Sequence, residues 1–470
     1  MAGSELGRLM GENSLVFSSL EFLFRFLPVF LAAFYLTPPG YRNVTLLAGS
    51  LFLYACAQPQ YVLLLLAVTA LNYLIGIRAQ AASGIRRHRK RRAVMSGWLL
   101  LAGTTDLGIL IFFKAVGAAT GNLALPLGLS FYTFKLVSYQ ADVFRGRIEA
   151  EMSFWRFASY ICMFPQITSG PIMRYEDASG GLRGERILPE QFAEGLRLLV
   201  LGLAAKVLLA DRLGILWNDI RTIGFESIST PLAWLGAFSY SLQLYFDFQG
   251  YSLMAAGIGM MLGLPYIKNF DQPYSAVSMS DFWRRWHMTL GSWFRDYVYI
   301  PMGGNREGTG RLVRNLLAVW LLTGLWHGNG WNFVLWGLVL GGIIILEKLT
   351  YGSWLKRRKV ISHIYVLALL PLTWMIFAIT DLKELGIYFA RLFPFFGIGQ
   401  TLNAGDIWKY LSLYWPFLLA GAVCCVPALE VLYEKWKKTW PAAVLLMLLF
   451  WAAVYRLSIS AGNPFLYFSF

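Results

Sequence analysis

Long apolar runs recur along almost the whole chain, and they constrain the fold more than any other feature of the sequence. They lie at 15–36, 43–57, 61–77, 97–117, 123–143, 154–172, 198–209, 232–264, 331–346, 361–379, 411–430 and 441–459. A helix needs about 20 mostly apolar residues to cross a bilayer, so several of these runs are long enough to span one. Only 14% of the residues are charged, against about 25% in soluble domains. The sequence therefore predicts an all-α polytopic membrane protein.

Basic clusters between these runs predict the topology. The net charge is +15, and clusters of Lys and Arg lie at 86–92, 356–359 and 435–438. Such clusters usually remain in the cytoplasm. Three predicted spans precede the cluster at 86–92, so the N-terminus is expected outside. We expect about 11 transmembrane helices plus re-entrant or surface helices, in one domain over 1–470. The basic residues could also attract an anionic cytosolic substrate, and the cluster at 86–92 could attract lipids. No nucleic-acid partner is expected.

Two Trp-His pairs, at 286–287 and 326–327, supply the first candidates for chemistry. Arg314 precedes the apolar run 316–326, and 13 residues at about 1.5 Å each place His327 roughly 20 Å along a helix. An ionisable side chain at that depth in a membrane is a functional-site candidate. Histidine is also the commonest general base for removing a proton from a hydroxyl. His327 is therefore the predicted catalytic residue.

The stretch around His287 predicts a single amphipathic helix. Ser278 and Asp281 have the S-x-x-D pattern of a capping box, so the helix is expected to begin there. Helical spacing then puts four side chains on one face: Trp283, His287, Leu290 and Phe294. A helix of this kind suits a membrane surface or a water-filled cavity better than a membrane span.

Other polar groups narrow the possible chemistry. Asp247 lies inside the apolar run 232–264, where a carboxylate needs a partner or a raised pKa. It could pair with an arginine and hold the helix, or take part in the reaction directly. The four cysteines show no C-x-x-C or Cys/His metal spacing, so neither a disulfide framework nor a metal site is expected. Neither a G-x-S-x-G motif nor a P-loop is present, so the usual parts of a serine hydrolase or an ATP-driven pump are missing.

Several motifs together resemble the membrane-bound O-acyltransferase (MBOAT) family, in the bacterial branch that acts in alginate O-acetylation. They lie at 130–134, 170–174, 245–251, 269–274, 281–290, 293–297, 303–306 and 324–328. The likeness runs from about residue 14 to 350, the motif-bearing core. Beyond it, the C-terminal helices of 351–470 resemble the family only in hydropathy.

The resemblance implies a ring of helices around a central funnel, with His327 as catalytic base or acyl-relay residue. It makes His287 a second catalytic residue, or else a binding or structural one. The substrate-binding residues are expected to be Trp326, Asp247, Arg284, Arg285, Asn305 and Arg306. The arginines of this region, with Arg295, could meet the phosphates of a donor, or they could anchor the chain at the cytoplasmic surface.

The function implied is an O-acetyltransferase of the bacterial cell membrane. Acetyl-CoA would be the cytosolic donor, with no permanently bound cofactor. The acetyl group would cross the membrane to an extracytoplasmic acetyltransferase partner that modifies an exported or cell-surface polysaccharide. Transfer of D-alanine to teichoic acid is the nearest alternative, and the motif at 303–306 favours the polysaccharide branch. A transporter or scaffold with no chemistry of its own is the alternative from another class, and membrane lipids surround the protein in every case.

Overall fold

The structure is a computed structural model that describes residues 16–85, 87–120, 124–184, 186–306, 308–396 and 403–459. Within these ranges the chain forms helices and no β-strand. The α-helices are α1 (Leu27–Leu36), α2 (Arg42–Ala57), α3 (Val62–Ser83), α4 (His88–Thr120), α5 (Leu129–Arg145), α6 (Phe154–Cys162), α7 (Phe164–Ile167), α8 (Tyr175–Leu182), α9 (Pro189–Ala204), α10 (Asp211–Ile223), α11 (Thr230–Met261), α12 (Met279–Arg285), α13 (Met288–Phe294), α14 (Thr309–His327), α15 (Trp331–Leu346), α16 (Gly352–Lys356), α17 (Lys359–Ala378), α18 (Leu382–Leu392), α19 (Asp406–Cys424), α20 (Pro427–Trp436) and α21 (Trp440–Ile459). Short π-helices lie at Phe22–Phe26, Ala205–Ala210, Arg295–Tyr299 and Glu347–Tyr351, and 3₁₀ turns at Pro39–Tyr41, Pro59–Tyr61, Pro273–Ser275 and Pro394–Phe396.

Six helical segments in the described part of the chain are long and apolar enough to cross a membrane. They are Pro59–Ala82, Arg89–Gly117, Trp331–Lys356, Lys359–Ala378, Asp406–Cys424 and Trp440–Ile459. The prediction of an all-α membrane protein is confirmed, whereas the count of about 11 spans is not. Several of the predicted spans fold as shorter helices, and α11 carries Gln243 and Asp247 within its length.

The chain forms two compact units, and the first contains residues up to 200 together with 251–267. Helix α5 of this unit is almost entirely buried, although its sequence contains many polar groups. Lys135 donates hydrogen bonds to the carbonyl oxygens of Tyr160 and Ile161, and Gln140 donates to the carbonyl oxygen of Asn72 at 2.7 Å. These polar groups therefore bind neighbouring helices of the same unit.

The second unit contains 201–250 and 268–456, and with them both Trp-His pairs. Helices α14 and α15 form an antiparallel hairpin in it, joined by residues 328–330. Two glycines allow the helices to touch. A Cβ atom at Gly324 would lie 2.4 Å from the carbonyl oxygen of Phe333, and one at Gly337 would lie 2.4 Å from that of Trp320. Small residues are the usual means of close helix contact in membranes.

We expect Gly337→Ala to destabilise the protein, because its methyl group would push α15 away from the Trp320 carbonyl. Overpacking of this kind costs about 1–3 kcal/mol of unfolding free energy. The same substitution at Gly342, five residues further along α15, meets no atom within 4 Å and serves as the matched control. Thermal unfolding in detergent measures both. Equal melting temperatures for the two variants would contradict the close contact.

Candidate functional site

His327 is the last residue of α14 and precedes the turn into α15. Its imidazole is half-buried and makes edge-to-face contacts with three aromatic rings. The ring centroids of Trp326, Trp336 and Phe377 lie 4.7, 5.1 and 5.1 Å from it. Aromatic edges and faces on three sides hold the imidazole in one orientation.

His287 occupies a break in the chain, and the prediction of one continuous helix here is wrong. Helix α12 ends at Arg285 and α13 begins at Met288. His287 between them has φ 45° and ψ 54°, the left-handed conformation. Few residues other than glycine adopt this conformation, and a side chain there costs about 1–2 kcal/mol. The expected start of the helix is confirmed, because the Ser278 side chain accepts a hydrogen bond from the Asp281 amide at 3.0 Å.

Contacts with a preceding segment hold this break in place. The Asp271 amide donates to the carbonyl oxygen of Arg285 at 2.9 Å, and the Met288 amide donates to that of Asn269 at 2.9 Å. The Asn269 side chain lies 3.0 Å from His287 Nδ1. Because the imidazole is buried, its pKa is held well below the usual range, so His287 is neutral. This residue lies outside the six candidate spans.

A cavity of about 980 Å³ brings the two histidines to one site. His287 and His327 both line it, together with Trp283 and Trp320. The resemblance named both histidines, and the structure places them around a shared space. Trp326 lies between them, with its ring centroid 6.4 Å from that of His287 and 4.7 Å from that of His327.

Five basic side chains line the same cavity and are exposed: Arg284, Arg295, Lys348, Lys356 and Arg357. Trp331 begins α15 four residues after His327. Lys348 lies 17 residues further along this helix and its continuation, which is roughly 26 Å of helix. The cavity therefore has a cationic, open end and extends from it toward His327. The buried carboxylate of Glu347 also lines it and accepts from the Met279 and Ser280 amides at 2.5 and 2.9 Å, which ties α12 to the end of α15.

The other predicted binding residues lie apart from this cavity or only partly in it. Arg284 lines it, whereas Arg285 lines a separate surface pocket and bonds to Asp281 at 3.1 Å. Asn305 and Arg306 are exposed in the loop before α14 and are not among the lining residues. In the sequence Lys348 looks like the ordinary end of an apolar helix, so it is not among the predicted binding residues. The cluster that contains Lys356 and Arg357 is predicted to mark the cytoplasmic side, with attraction of an anionic cytosolic substrate as the alternative.

Asp247 is buried in an ion pair. Its carboxylate lies 2.8 Å from Lys206 Nζ, which also lies 2.6 Å from Asp211 Oδ1. The sequence predicts that Asp247 pairs with an arginine or holds the helix, or that it takes part in the reaction directly. The partner is a lysine, and Asp247 does not line the cavity. Lys206 lies in the π-helix Ala205–Ala210, within a run that the sequence predicts only as apolar.

This arrangement suits acyl transfer to a hydroxyl. A neutral imidazole can take the proton of a hydroxyl group, and a second imidazole can bind or orient the reactants. Guanidinium and ammonium groups at the open end can bind an anionic group, and arginine in particular suits phosphate. Among the described residues, no group of three or more His, Cys, Asp or Glu side chains could hold a metal ion.

Comparison with known proteins extends this picture. A sequence model of the membrane-bound O-acyltransferase family matches residues 104–380, a range that contains both histidines. The chain is 35% identical to the protein named “Probable alginate O-acetylase” of Azotobacter vinelandii, over 97% of this chain and all of the relative. It is 30% identical to a peptidoglycan O-acetyltransferase of Helicobacter pylori, over 79% and 78% of the two chains. It is 31% identical to a teichoic acid D-alanyltransferase of Lacticaseibacillus rhamnosus, over 51% and 62%.

The likeness extends beyond residue 350, further than the motifs alone indicated. The family model ends at residue 380, and the alignment with the Azotobacter protein covers almost the whole chain. An alignment that covers 97% of this chain includes C-terminal helices beyond residue 350. The family model, the relatives that align over the full chain and the apolar helices all agree. The chain is a multi-pass membrane enzyme that belongs to the membrane-bound O-acyltransferase family.

Proposed function

We propose that this enzyme moves an acetyl group from cytosolic acetyl-CoA across the cell membrane for O-acetylation of an exported or cell-surface polysaccharide. An extracytoplasmic acetyltransferase partner would receive the group and pass it on. One observation carries the proposal: a single cavity is lined by His287 and His327 and by five exposed basic side chains. The names of the alginate O-acetylase and peptidoglycan O-acetyltransferase relatives support an acetyl group and a polysaccharide acceptor.

The charges of the cavity support a donor that enters from the cytosol. Lys356 and Arg357 lie in the basic cluster 356–359, which the positive-inside tendency assigns to the cytoplasm. Acetyl-CoA carries its phosphates at one end and its thioester at the end of a long arm. The phosphates would bind at the cationic opening, and the arm would reach toward His327.

His327 then acts as the general base. Its imidazole takes the proton from the acceptor hydroxyl as the oxygen attacks the thioester carbonyl carbon. The C–S bond breaks, the acetyl ester forms, and the proton passes from the imidazole to the departing thiolate. Removing a proton in the transition state in this way typically contributes about 10²–10⁴-fold to the rate.

Purified protein in lipid nanodiscs tests the proposal with radiolabelled acetyl-CoA as donor. We expect release of free thiol that depends on an acceptor hydroxyl. D-alanyl thioester on a carrier protein is the parallel donor, because one relative is named a teichoic acid D-alanyltransferase. Turnover of that donor alone would replace the proposal with D-alanyl transfer. Turnover of neither donor would indicate a protein without this chemistry.

Neutralising the cationic opening should weaken donor binding with little effect on the chemical step. The triple variant Lys348→Gln, Lys356→Gln, Arg357→Gln removes three exposed charges of the cavity. Exposed ion pairs contribute about 0.2–1 kcal/mol each, so we expect KM for acetyl-CoA to rise about tenfold. The value of kcat should stay close to that of the wild type, because these contacts persist in the transition state.

A second triple variant controls for net charge: Lys383→Gln, Lys409→Gln, Lys438→Gln. These lysines are equally exposed and do not line the cavity. Steady-state kinetics at one ionic strength compares the two triples. An equal rise of KM in both would show that the opening has no specific role in donor binding.

A further inference from the structure

The side chain of Asn269 connects the left-handed break at His287 to the first turn of α13. Its Oδ1 atom lies 3.3 Å from the Thr289 amide nitrogen and 2.9 Å from Thr289 Oγ1. Its backbone oxygen accepts from the Met288 amide. These are the first two residues of α13, whose amides have no partner within the helix. Asn269 therefore caps α13 from a separate segment.

The contact with Thr289 settles which way the Asn269 amide points. A backbone N–H group can only donate, so the atom that faces it must be the oxygen and not the NH₂ group. The same oxygen lies 3.0 Å from His287 Nδ1. A short contact between an oxygen acceptor and a ring nitrogen requires that the nitrogen carries the proton. His287 is thus the Nδ1–H tautomer, and its Nε2 atom carries a lone pair.

The surroundings of Nε2 indicate what this lone pair is for. His287 is 3% exposed, and the atom has no hydrogen-bond partner among the described residues. The residue also lines the cavity. An unsatisfied buried acceptor costs about 1–3 kcal/mol, and folded proteins rarely keep one without a role. A donor group that enters through the cavity would satisfy it.

We propose that Asn269 is a positioning residue for the acyl transfer: it fixes His287 in the Nδ1–H tautomer, so that Nε2 accepts a hydrogen bond from an O–H or N–H group of the substrate. The inference rests on the proposed function for its substrate, although the tautomer itself does not. Basic side chains and Glu347 line the same cavity. These charged groups are the same in every variant below, so a difference in pH dependence between the variants comes from position 269.

Two substitutions separate positioning from simple folding. Asn269→Asp keeps an oxygen acceptor for Nδ1–H and for Thr289, and Asn269→Leu has a similar size and no acceptor. We expect the Leu variant to lose about 10- to 100-fold in kcat, a loss of the size seen when the group that orients a metal-bound histidine is removed. The Asp variant should recover most of kcat. Its added carboxylate should raise the pKa of His287, so activity should begin to fall at a higher pH than in the wild type as the solution is acidified.

Nitrogen NMR of protein labelled with ¹⁵N-histidine gives a readout that does not depend on activity. The His287 signals are identified by their loss in His287→Asn, since asparagine tolerates the left-handed conformation. We expect a protonated Nδ1 and an unprotonated Nε2 in the wild type and in Asn269→Asp, and a mixture of tautomers in a folded Asn269→Leu.

A protonated Nε2 in the wild type would overturn the inference, as would a Leu variant with unchanged tautomer and kcat. If the Leu variant does not fold, the wild-type spectrum and the Asp pH profile still decide the question. Absence of acetyl transfer by the wild type would instead remove the proposed function and leave the tautomer to be judged by NMR.

Discussion

Replacing His327 with alanine should reduce acetyl transfer by about 10²–10⁴-fold, the contribution expected of a general base. The imidazole ends α14 inside a frame of three aromatic rings and lines the cavity. The rate of thiol release from acetyl-CoA by purified protein measures the loss. Binding of the donor should change little, because we propose that its phosphates bind at the cationic opening formed by Lys348, Lys356 and Arg357.

His363→Ala is the matched control for that experiment. His363 lies in α17 and does not line the cavity, so its removal should leave the rate unchanged. Both variants should melt at the temperature of the wild type. A His327→Ala enzyme that retains more than a tenth of its activity would exclude the role as base and would leave His287 as the stronger candidate.

Replacing Lys206 with methionine should cost about 3–5 kcal/mol of unfolding free energy, the usual loss when one partner leaves a buried ion pair. Its ammonium group lies 2.6 Å from Asp211 and 2.8 Å from Asp247, and the side chains of Lys206 and Asp247 are only 3% and 2% exposed. Without the lysine, the carboxylates of Asp211 and Asp247 lose the ammonium group that both of them contact. Thermal unfolding in detergent measures the effect.

Two further variants make that prediction specific. Arg197→Met breaks the pair between Arg197 and Glu194, whose side chains are 27% and 24% exposed, and should cost at most about 1 kcal/mol. Adding Asp247→Asn to Lys206→Met removes one of the two carboxylate charges that Lys206 contacts and should restore part of the stability. If Lys206→Met and Arg197→Met melted at the same temperature, the buried pair would have no structural role.

Local patterns predicted the parts of the site that depend on neighbours in the sequence. The cap at Ser278 followed from a hydroxyl and a carboxylate three residues apart, and the structure contains it. The helix that ends at His327 followed from one apolar run between polar ends. These features need only the chemistry of a few consecutive residues.

The break at His287 could not be predicted in the same way. The spacing of apolar residues around it continues without interruption through 283–294. What interrupts the helix is Asn269, 18 residues earlier, which binds the first amides of α13 and the imidazole together. A contact between distant segments has no signature in the periodicity of either one.

The cationic opening shows a second limit. Lys356 and Arg357 lie in a cluster that the positive-inside tendency is enough to explain, so their sequence context points first to topology. The fold places them around the same cavity as Arg284, more than 70 positions earlier. One charge can orient a helix and also bind an anion, and only the three-dimensional arrangement separates the two uses.

The left-handed backbone at His287 also limits which amino acids this position can accept. Branched and long side chains are unfavourable there whatever the enzyme's chemistry, while glycine, asparagine and aspartate are tolerated. An alignment of relatives would therefore show a narrow repertoire at this site for two unrelated reasons. Sequence invariance here measures main-chain shape as well as reactivity, and it overstates the chemical importance of the imidazole unless both contributions are separated.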